Sequence, residues 1–350
     1  MRPDANVLAI IVARIGDTLL ATPALRALKA ALPRGRLTVM AHPKRVEVLE
    51  NLPFIDALEG ITKTSAQAKG WIRKHRHDYA LVWGQDTALL KYALRVSDEV
   101  IAFHQRDAAL DRKLAHAVPE PAKAQHAVLH RAALLGPLGV VPDDLRLAYR
   151  VTEAERARAK AWLKLHGRFV PQDPLARQGR LARHDTQAPG RPLIGLQIAS
   201  FPTKAHRDWP VAHFAALIGR IAAARPQARF ILLGDAAAAR KAAPLLVLRP
   251  NDIVVAAGKL SLRESAALTS ELDLYVGVDT GPTHIAGALG IPMVAMYHPA
   301  YPGHNLAPLQ NQNCTMIEHP ATGKSAAVTA SMADIPVEAV WRAARERLAT

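Results

Sequence analysis

Three short clusters in this chain carry residue types that can do chemistry. The block Val278-Asp279-Thr280-Gly281-Pro282-Thr283-His284 follows an apolar run, Leu274–Val278, and opens a stretch of helical pattern. Such a turn presents backbone N–H groups and the positive end of a helix dipole, and both favour phosphate. Thr280 and Gly281 would offer those donors at close range, with His284 one turn further on and on a side that can meet the same anion. A simple cap by Asp279 or Thr280 also accounts for the turn, but it gives His284 no part.

The second cluster, Ser200 to Pro210, follows the apolar run Leu193–Gln197 and carries Lys204, His206 and Arg207. Cations at the end of a strand can neutralise a diphosphate, although a solvated basic loop has the same composition. The third is Ile15-Gly16-Asp17-Thr18, where the first strand gives way to a helix. Gly16 would let the backbone approach a ligand closely. Asp17 would lie at the helix N-terminus, facing a cleft, or serve only as its N-cap. Other chemistries are not visible. There is no dinucleotide or P-loop glycine fingerprint, no D-x-D triplet for a divalent cation, no H-E-x-x-H and no G-x-S-x-G. The single Cys314 excludes a disulfide framework and a multi-cysteine zinc site.

The elements that must hold these clusters alternate. Strands are expected at Val7–Ala13, Leu37–Ala41, Tyr79–Trp83 and Val100–Phe103. The helices between and beyond them are expected at Asp17–Ala31, Lys44–Asn51, Ser65–His75, Ala88–Arg95 and Ala122–Leu135. A charged helical pattern, Thr152–His166, precedes Phe169–Arg191, rich in Pro, Gly and Arg and without hydrophobic period. A second series follows, with strands at Leu193–Gln197, Arg229–Leu233, Ile253–Ala256, Leu274–Val278 and Met293–Met296 and a closing amphipathic helix at Val337–Leu348. Alternation of this kind means βαβ units and parallel sheets, and two such halves place a ligand cleft between them at the carboxyl ends of the strands.

At 350 residues the chain suits two domains, and 50% hydrophobic with 21% charged residues excludes a disordered chain. The formal net charge of +15 favours a polyanionic partner: nucleic acid, an acidic glycolipid or an anionic membrane surface. With 5% aromatic residues and no recognisable module, nucleic acid is the weaker reading. No apolar run has membrane-spanning length, and Val7–Ala13 is a buried strand rather than a signal peptide. The expected location is cytoplasmic, with at most peripheral contact at the inner membrane.

The three clusters together resemble glycosyltransferase family 9, which includes the heptosyltransferases of lipopolysaccharide assembly. Gly16-Asp17 with Thr22-Pro23-Ala24-Leu25-Arg26 resembles the family's opening. Asp273 to Gly290 looks like its donor-site signature, and Pro202-Thr203-Lys204 with Trp209-Pro210 is similar to a third family motif. The resemblance implies a GT-B fold of two Rossmann-like domains facing across a cleft: an acceptor domain at 1–168, a linker at 169–191, a nucleotide-sugar domain at 192–334, and a terminal helix at 335–350 returning to the first domain. It implies inverting transfer without metal or other cofactor, from a nucleotide sugar such as ADP-heptose to an acidic, lipid-linked saccharide.

By the same resemblance Asp17 is the general base. Lys204 or Arg207, with Thr280, Gly281 and His284, holds the diphosphate. Asp279 orients the turn or touches the sugar, and Glu264 contacts the nucleotide. Two departures stand out. Ala205-His206-Arg207-Asp208 intervene between Lys204 and Trp209, which leaves the phosphate ligand open between Lys204 and Arg207. Tyr297-His298-Pro299 stands where the family often has Phe-Gly, which leaves room for a UDP-sugar or another donor. Arg34–Arg45 and Lys69–Arg76 are the basic stretches that would face an anionic membrane surface.

Overall fold

The computed structural model describes residues 1–72, 76–166, 191–324 and 329–349. The chain divides into two compact units, Met1–Arg150 with Pro308–Gln310, and Val151–Ala307 with Asn311–Thr350. The first is built on six parallel strands: β1 (Asn6–Ile11), β2 (Arg36–Ala41), β3 (Ala57–Gly60), β4 (His77–Trp83), β5 (Ser97–Phe103) and β6 (His116–Val118). Their order is β3-β2-β1-β4-β5-β6. The second unit repeats the plan with β7 (Leu193–Gln197), β8 (Arg229–Leu233), β9 (Ile253–Val255), β10 (Leu274–Val278), β11 (Met293–Tyr297) and β12 (Cys314–Glu318), in the order β12-β11-β10-β7-β8-β9.

Strand order reverses between β1 and β4 in one unit and between β7 and β10 in the other. Doubly wound sheets bind ligands at such reversals, because the helices after the two adjacent strands leave on opposite faces. All three sequence clusters follow strands at these points: Asp17 follows β1, Lys204 and Arg207 follow β7, and Asp279 follows β10.

The apolar runs became strands buried on both faces, as in Val7–Ile11 and all of β7 and β10. Three strands escape the sequence pattern. β3, β6 and β12 are edge strands of half-buried or exposed residues, so they carry no continuous apolar run. The expected helix Asp17–Ala31 is two, Ile15–Leu19 and Thr22–Ala30. Pro23 lies at the start of the second, and the Thr22 hydroxyl donates to the Leu19 carbonyl at 2.6 Å. Ala122–Leu135 is helical only over Ala127–Ala132 before a 3-10 turn, Ala133–Leu138. The stretch read as a linker lies, apart from Arg191, outside the described residues, as do residues 73–75 of the expected helix Ser65–His75.

Two domain expectations are corrected. The helix Glu153–His166 groups with the second unit. Its Glu155 accepts from Arg263 Nε at 2.5 Å and Nη2 at 2.8 Å, and its Leu163 packs in a core cluster with Leu268 and Tyr275. The terminal helix, Val337–Arg347, buries Val340, Ala343 and Ala344 in the core cluster of the second unit rather than returning to the first. Trp209, 1% exposed, belongs to that cluster and donates from Nε1 to the Ile335 carbonyl at 3.0 Å, just ahead of the helix.

Arg263 and two hydrogen bonds from Thr152 hold the Glu155 carboxyl at about 2, against an ordinary 4.5. A depressed carboxyl stabilises the fold above its unfolded value and loses that contribution as pH falls through the folded one. The melting temperature should therefore fall as pH drops from 4.5 towards 2. Glu155→Ala, which removes two charge-assisted hydrogen bonds from the buried Arg263, should cost about 2 kcal/mol at neutral pH by thermal unfolding.

Candidate active site

In the second unit the cationic loop is built by one carboxylate. The Ser200 backbone N–H donates to Asp208 Oδ1 at 2.6 Å, and the Ser200 hydroxyl lies 2.7 Å from the Lys204 carbonyl. Lys241 pairs with the other Asp208 oxygen at 2.5 Å. This staple folds Pro202–Arg207 into a 3-10 turn, from which Lys204 and Arg207 project. Between β10 and the helix Gly281–Leu289, a hydroxyl chain fixes the opposing turn. Thr283 donates to the Val278 carbonyl at 2.5 Å and accepts from Tyr275 at 2.9 Å, with Thr280 Oγ1 3.2 Å away.

Asp279 joins the two turns. Arg207 Nη2 donates to its Oδ2 at 2.6 Å, and His284 Nε2 lies 3.3 Å from its Oδ1. Burial raises the Asp279 carboxyl, but the His284 hydrogen bond and the His284 and Arg207 charges outweigh it and hold the group below its ordinary value. Neither cap considered from sequence forms: Thr280 occupies the N-cap position without a side-chain bond to the helix backbone, and Asp279 is engaged elsewhere. Pro282 has no N–H, so the helix start offers those of Gly281 and Thr283.

Two polar atoms beside Asp279, Arg207 Nε and His284 Nδ1, are buried and make no hydrogen bond among the described residues. Buried polar groups are rarely left so, and two of them beside one strand-to-helix turn call for a partner from outside the chain. Lys204 forms no ion pair among the described residues; its ammonium lies 5.6 Å from the ring centroid of Tyr301, a residue the sequence motifs do not include. Lys204, Arg207, Asp279, Thr280, Gly281 and His284 thus belong to two facing turns. Glu264 sits apart in its bonding. Its Oε2 accepts from the Ser261 backbone N–H and hydroxyl, both at 2.8 Å, in a capping box at the head of Leu262–Thr269. It also lines a cavity of about 60 Å³ with Trp162, Leu260 and Leu268.

In the first unit Gly16 and Asp17 lie inside the short helix Ile15–Leu19, whose N-cap is Arg14, so Asp17 does not cap it. Instead Arg131 Nη2 donates to Asp17 Oδ1 at 2.7 Å, and its Nε donates to the Asp17 carbonyl at 3.0 Å. The Arg131 side chain is 17% exposed and that of Asp17 44%, so the cation is the buried partner. Burial pulls the Arg131 guanidinium down and Asp17 pulls it back up. Arg131 went unread because it lies 114 residues away in a helix with no motif. Of the basic stretches, Arg45 donates to the Ala13 carbonyl at 3.0 Å and Arg76 pairs with Asp98 at 2.6 Å. The side chains of residues 69–75 lie outside the described set. Among the described residues, no helix is long and apolar enough to cross a membrane, and no group of three or more His, Cys, Asp or Glu could hold a metal ion.

The same two-unit plan recurs in solved structures. The family 9 glycosyl transferase of Veillonella parvula aligns with a TM-score of 0.80 at 21% identity, covering 100% of this chain and 99% of that one. The ADP-heptose LPS heptosyltransferase II of Escherichia coli aligns at 0.74 and 20% identity, covering 98% of each chain. The class is thereby a GT-B fold of two Rossmann-like domains. The model of glycosyltransferase family 9 (heptosyltransferase) matches residues 97–333, more than half of the sequence. This chain belongs to that family and is a glycosyltransferase. A curated relative, lipopolysaccharide heptosyltransferase 3 of Escherichia coli, is 25% identical over 306 residues, 81% of this chain and 80% of the relative.

The Asp279 contacts separate a structural acid from a cap. Asp279→Ala should lower stability by about 3–5 kcal/mol, because it strands a buried arginine. Thr280→Ala should cost less than about 0.5 kcal/mol, since no cap is lost. Melting curves of the two variants make the comparison.

Proposed function

We propose that this enzyme transfers heptose from ADP-heptose to a lipopolysaccharide-core acceptor, inverting the anomeric centre without a metal. The observation that carries this reading is the pair of buried, unmatched polar atoms, Arg207 Nε and His284 Nδ1, beside a helix N-terminus at a topological switch point. A diphosphate supplies the acceptor that Arg207 Nε lacks, and one for His284 Nδ1 when the ring carries a proton on both nitrogens. The names of the relatives, with ADP-heptose and lipopolysaccharide in them, supply the substrate class.

In the reaction the acceptor hydroxyl oxygen forms a bond to the anomeric carbon as the bond from that carbon to the β-phosphate oxygen breaks. The electron pair leaves with ADP, and the hydroxyl proton passes to Asp17. Arg131 holds one Asp17 oxygen, so the other remains to take that proton. Charge growing on the diphosphate is met by Lys204, Arg207 and the Gly281–Leu289 helix start, fixed in place before the bond breaks. Arg207 shares its charge with Asp279, which makes Lys204 the cation with the most to give the phosphate. Glu264, with one oxygen outside its capping box, remains the proposed nucleotide contact. The first unit would bind the acceptor and the second the donor. A charge of +15 suits an acidic acceptor at the cytoplasmic face of the inner membrane.

Asp17→Asn should lower kcat about 10²- to 10⁴-fold, the usual worth of a general base, while ADP affinity stays within twofold. Wild-type turnover in that variant would remove Asp17 from the role. A thermal-shift panel should show ADP-heptose stabilising the protein more than UDP- or GDP-sugars do. Turnover should survive EDTA. Loss of rate restored by Mg²⁺ would overturn the metal-free scheme.

A further inference from the structure

The ring of Tyr301 lies against both donor-site cations. The Arg207 guanidinium carbon is 4.0 Å from its centroid and Lys204 Nζ 5.6 Å. The ring is seated by its own turn, which follows β11. The Tyr301 backbone N–H donates to the His298 carbonyl at 2.8 Å, and the Ala300 N–H donates to His298 Nδ1 at 3.1 Å. Because Nδ1 accepts, the ring proton sits on Nε2, which donates to the Ala330 carbonyl at 3.1 Å. His298 is 1% exposed, and His206 of the cationic loop meets it edge-on at 5.3 Å between centroids.

Asp279 grips Arg207 through a single guanidinium nitrogen. One contact fixes a point but leaves the fork free to swing, and a ring with the guanidinium carbon 4.0 Å over its centroid restricts that freedom. A ring also attracts a cation without bringing a countercharge. A second carboxylate in its place would neutralise Arg207 and Lys204; the ring leaves them positive towards an anion.

We propose that Tyr301, seated by His298, is a positioning residue of the donor site: it sets the plane of Arg207 and keeps Lys204 beside it, so that a nucleoside diphosphate meets a preset pair of cations. The inference rests on reading these turns as the diphosphate site.

The test is calorimetry with ADP on the full chain. Tyr301→Leu should weaken ADP binding about tenfold, within the range of a partly desolvated cation–π contact. Tyr301→Phe, which returns the ring without the hydroxyl, should recover that loss. His298→Ala should weaken binding in the same direction, and the double variant His298→Ala/Tyr301→Leu should bind no worse than Tyr301→Leu, because His298 acts through the ring. Tyr301 is only half-buried, so melting temperatures within a few degrees of wild type should accompany its variants. Wild-type affinity in Tyr301→Leu, or an equal loss in Tyr301→Phe, would overturn the role of the ring. Fully additive losses would overturn that of His298. A wild-type protein that does not bind ADP would instead defeat the diphosphate reading itself, and this inference with it.

Discussion

The arrangement of the second unit turns on one buried carboxylate. Asp279 is 5% exposed, and burial alone would push it towards the neutral acid. Arg207 and His284 keep it charged, and in doing so they are drawn from different elements to one place. An ion pair of this kind contributes little net stability, since desolvation consumes most of the attraction. What it fixes is geometry. The cationic loop after β7 cannot drift from the helix after β10 without leaving charge unpaired in the interior. Against the single charge of Asp279 stand Arg207, Lys204 and the helix dipole, so the assembly keeps a positive surplus.

The first unit uses the same two residue types with a different burial: in the second unit both side chains are enclosed, Arg207 at 13% and Asp279 at 7% exposed. In the first the arginine is enclosed and the carboxylate exposed: Arg131 is 17% exposed and Asp17 44%. Both pairs sit beside a reversal of strand order, where backbone leaves the surface open.

Much of this was legible in the sequence, for a physical reason. Central strands of a parallel sheet are buried on both faces, so β7, β8 and β10 stand out as unbroken apolar runs, and the polar residues that follow them stand out in turn. The edge strands β3, β6 and β12 are half-buried or exposed along their length and leave no such run, whereas the edge strand β9 keeps the apolar Ile253-Val254-Val255. The break in the helix after Gly16 was written in Pro23 and went unused. Long-range pairings have no local trace at all. Arg207 and Asp279 are 72 residues apart, and Arg131 and Asp17 are 114 apart. Composition marks Lys204 and Arg207 equally, and it is the ion pair with Asp279 that sets their surroundings apart. Tyr301 carries no motif, and its contacts with Lys204 and Arg207 are likewise long-range.

The seating of Trp209 has a consequence for biosynthesis. This residue closes the cationic loop, yet its indole hydrogen bond and part of its packing come from chain made 126 residues later, around Ile335 and the terminal helix. At roughly 5–20 residues per second, a ribosome needs on the order of ten seconds to supply them. Through that interval the Trp209 indole has Phe214 and His213 beside it but lacks its Ile335 hydrogen bond and the cover of the terminal helix. The loop after β7 therefore reaches its final packing only when the helix Val337–Arg347 has been made.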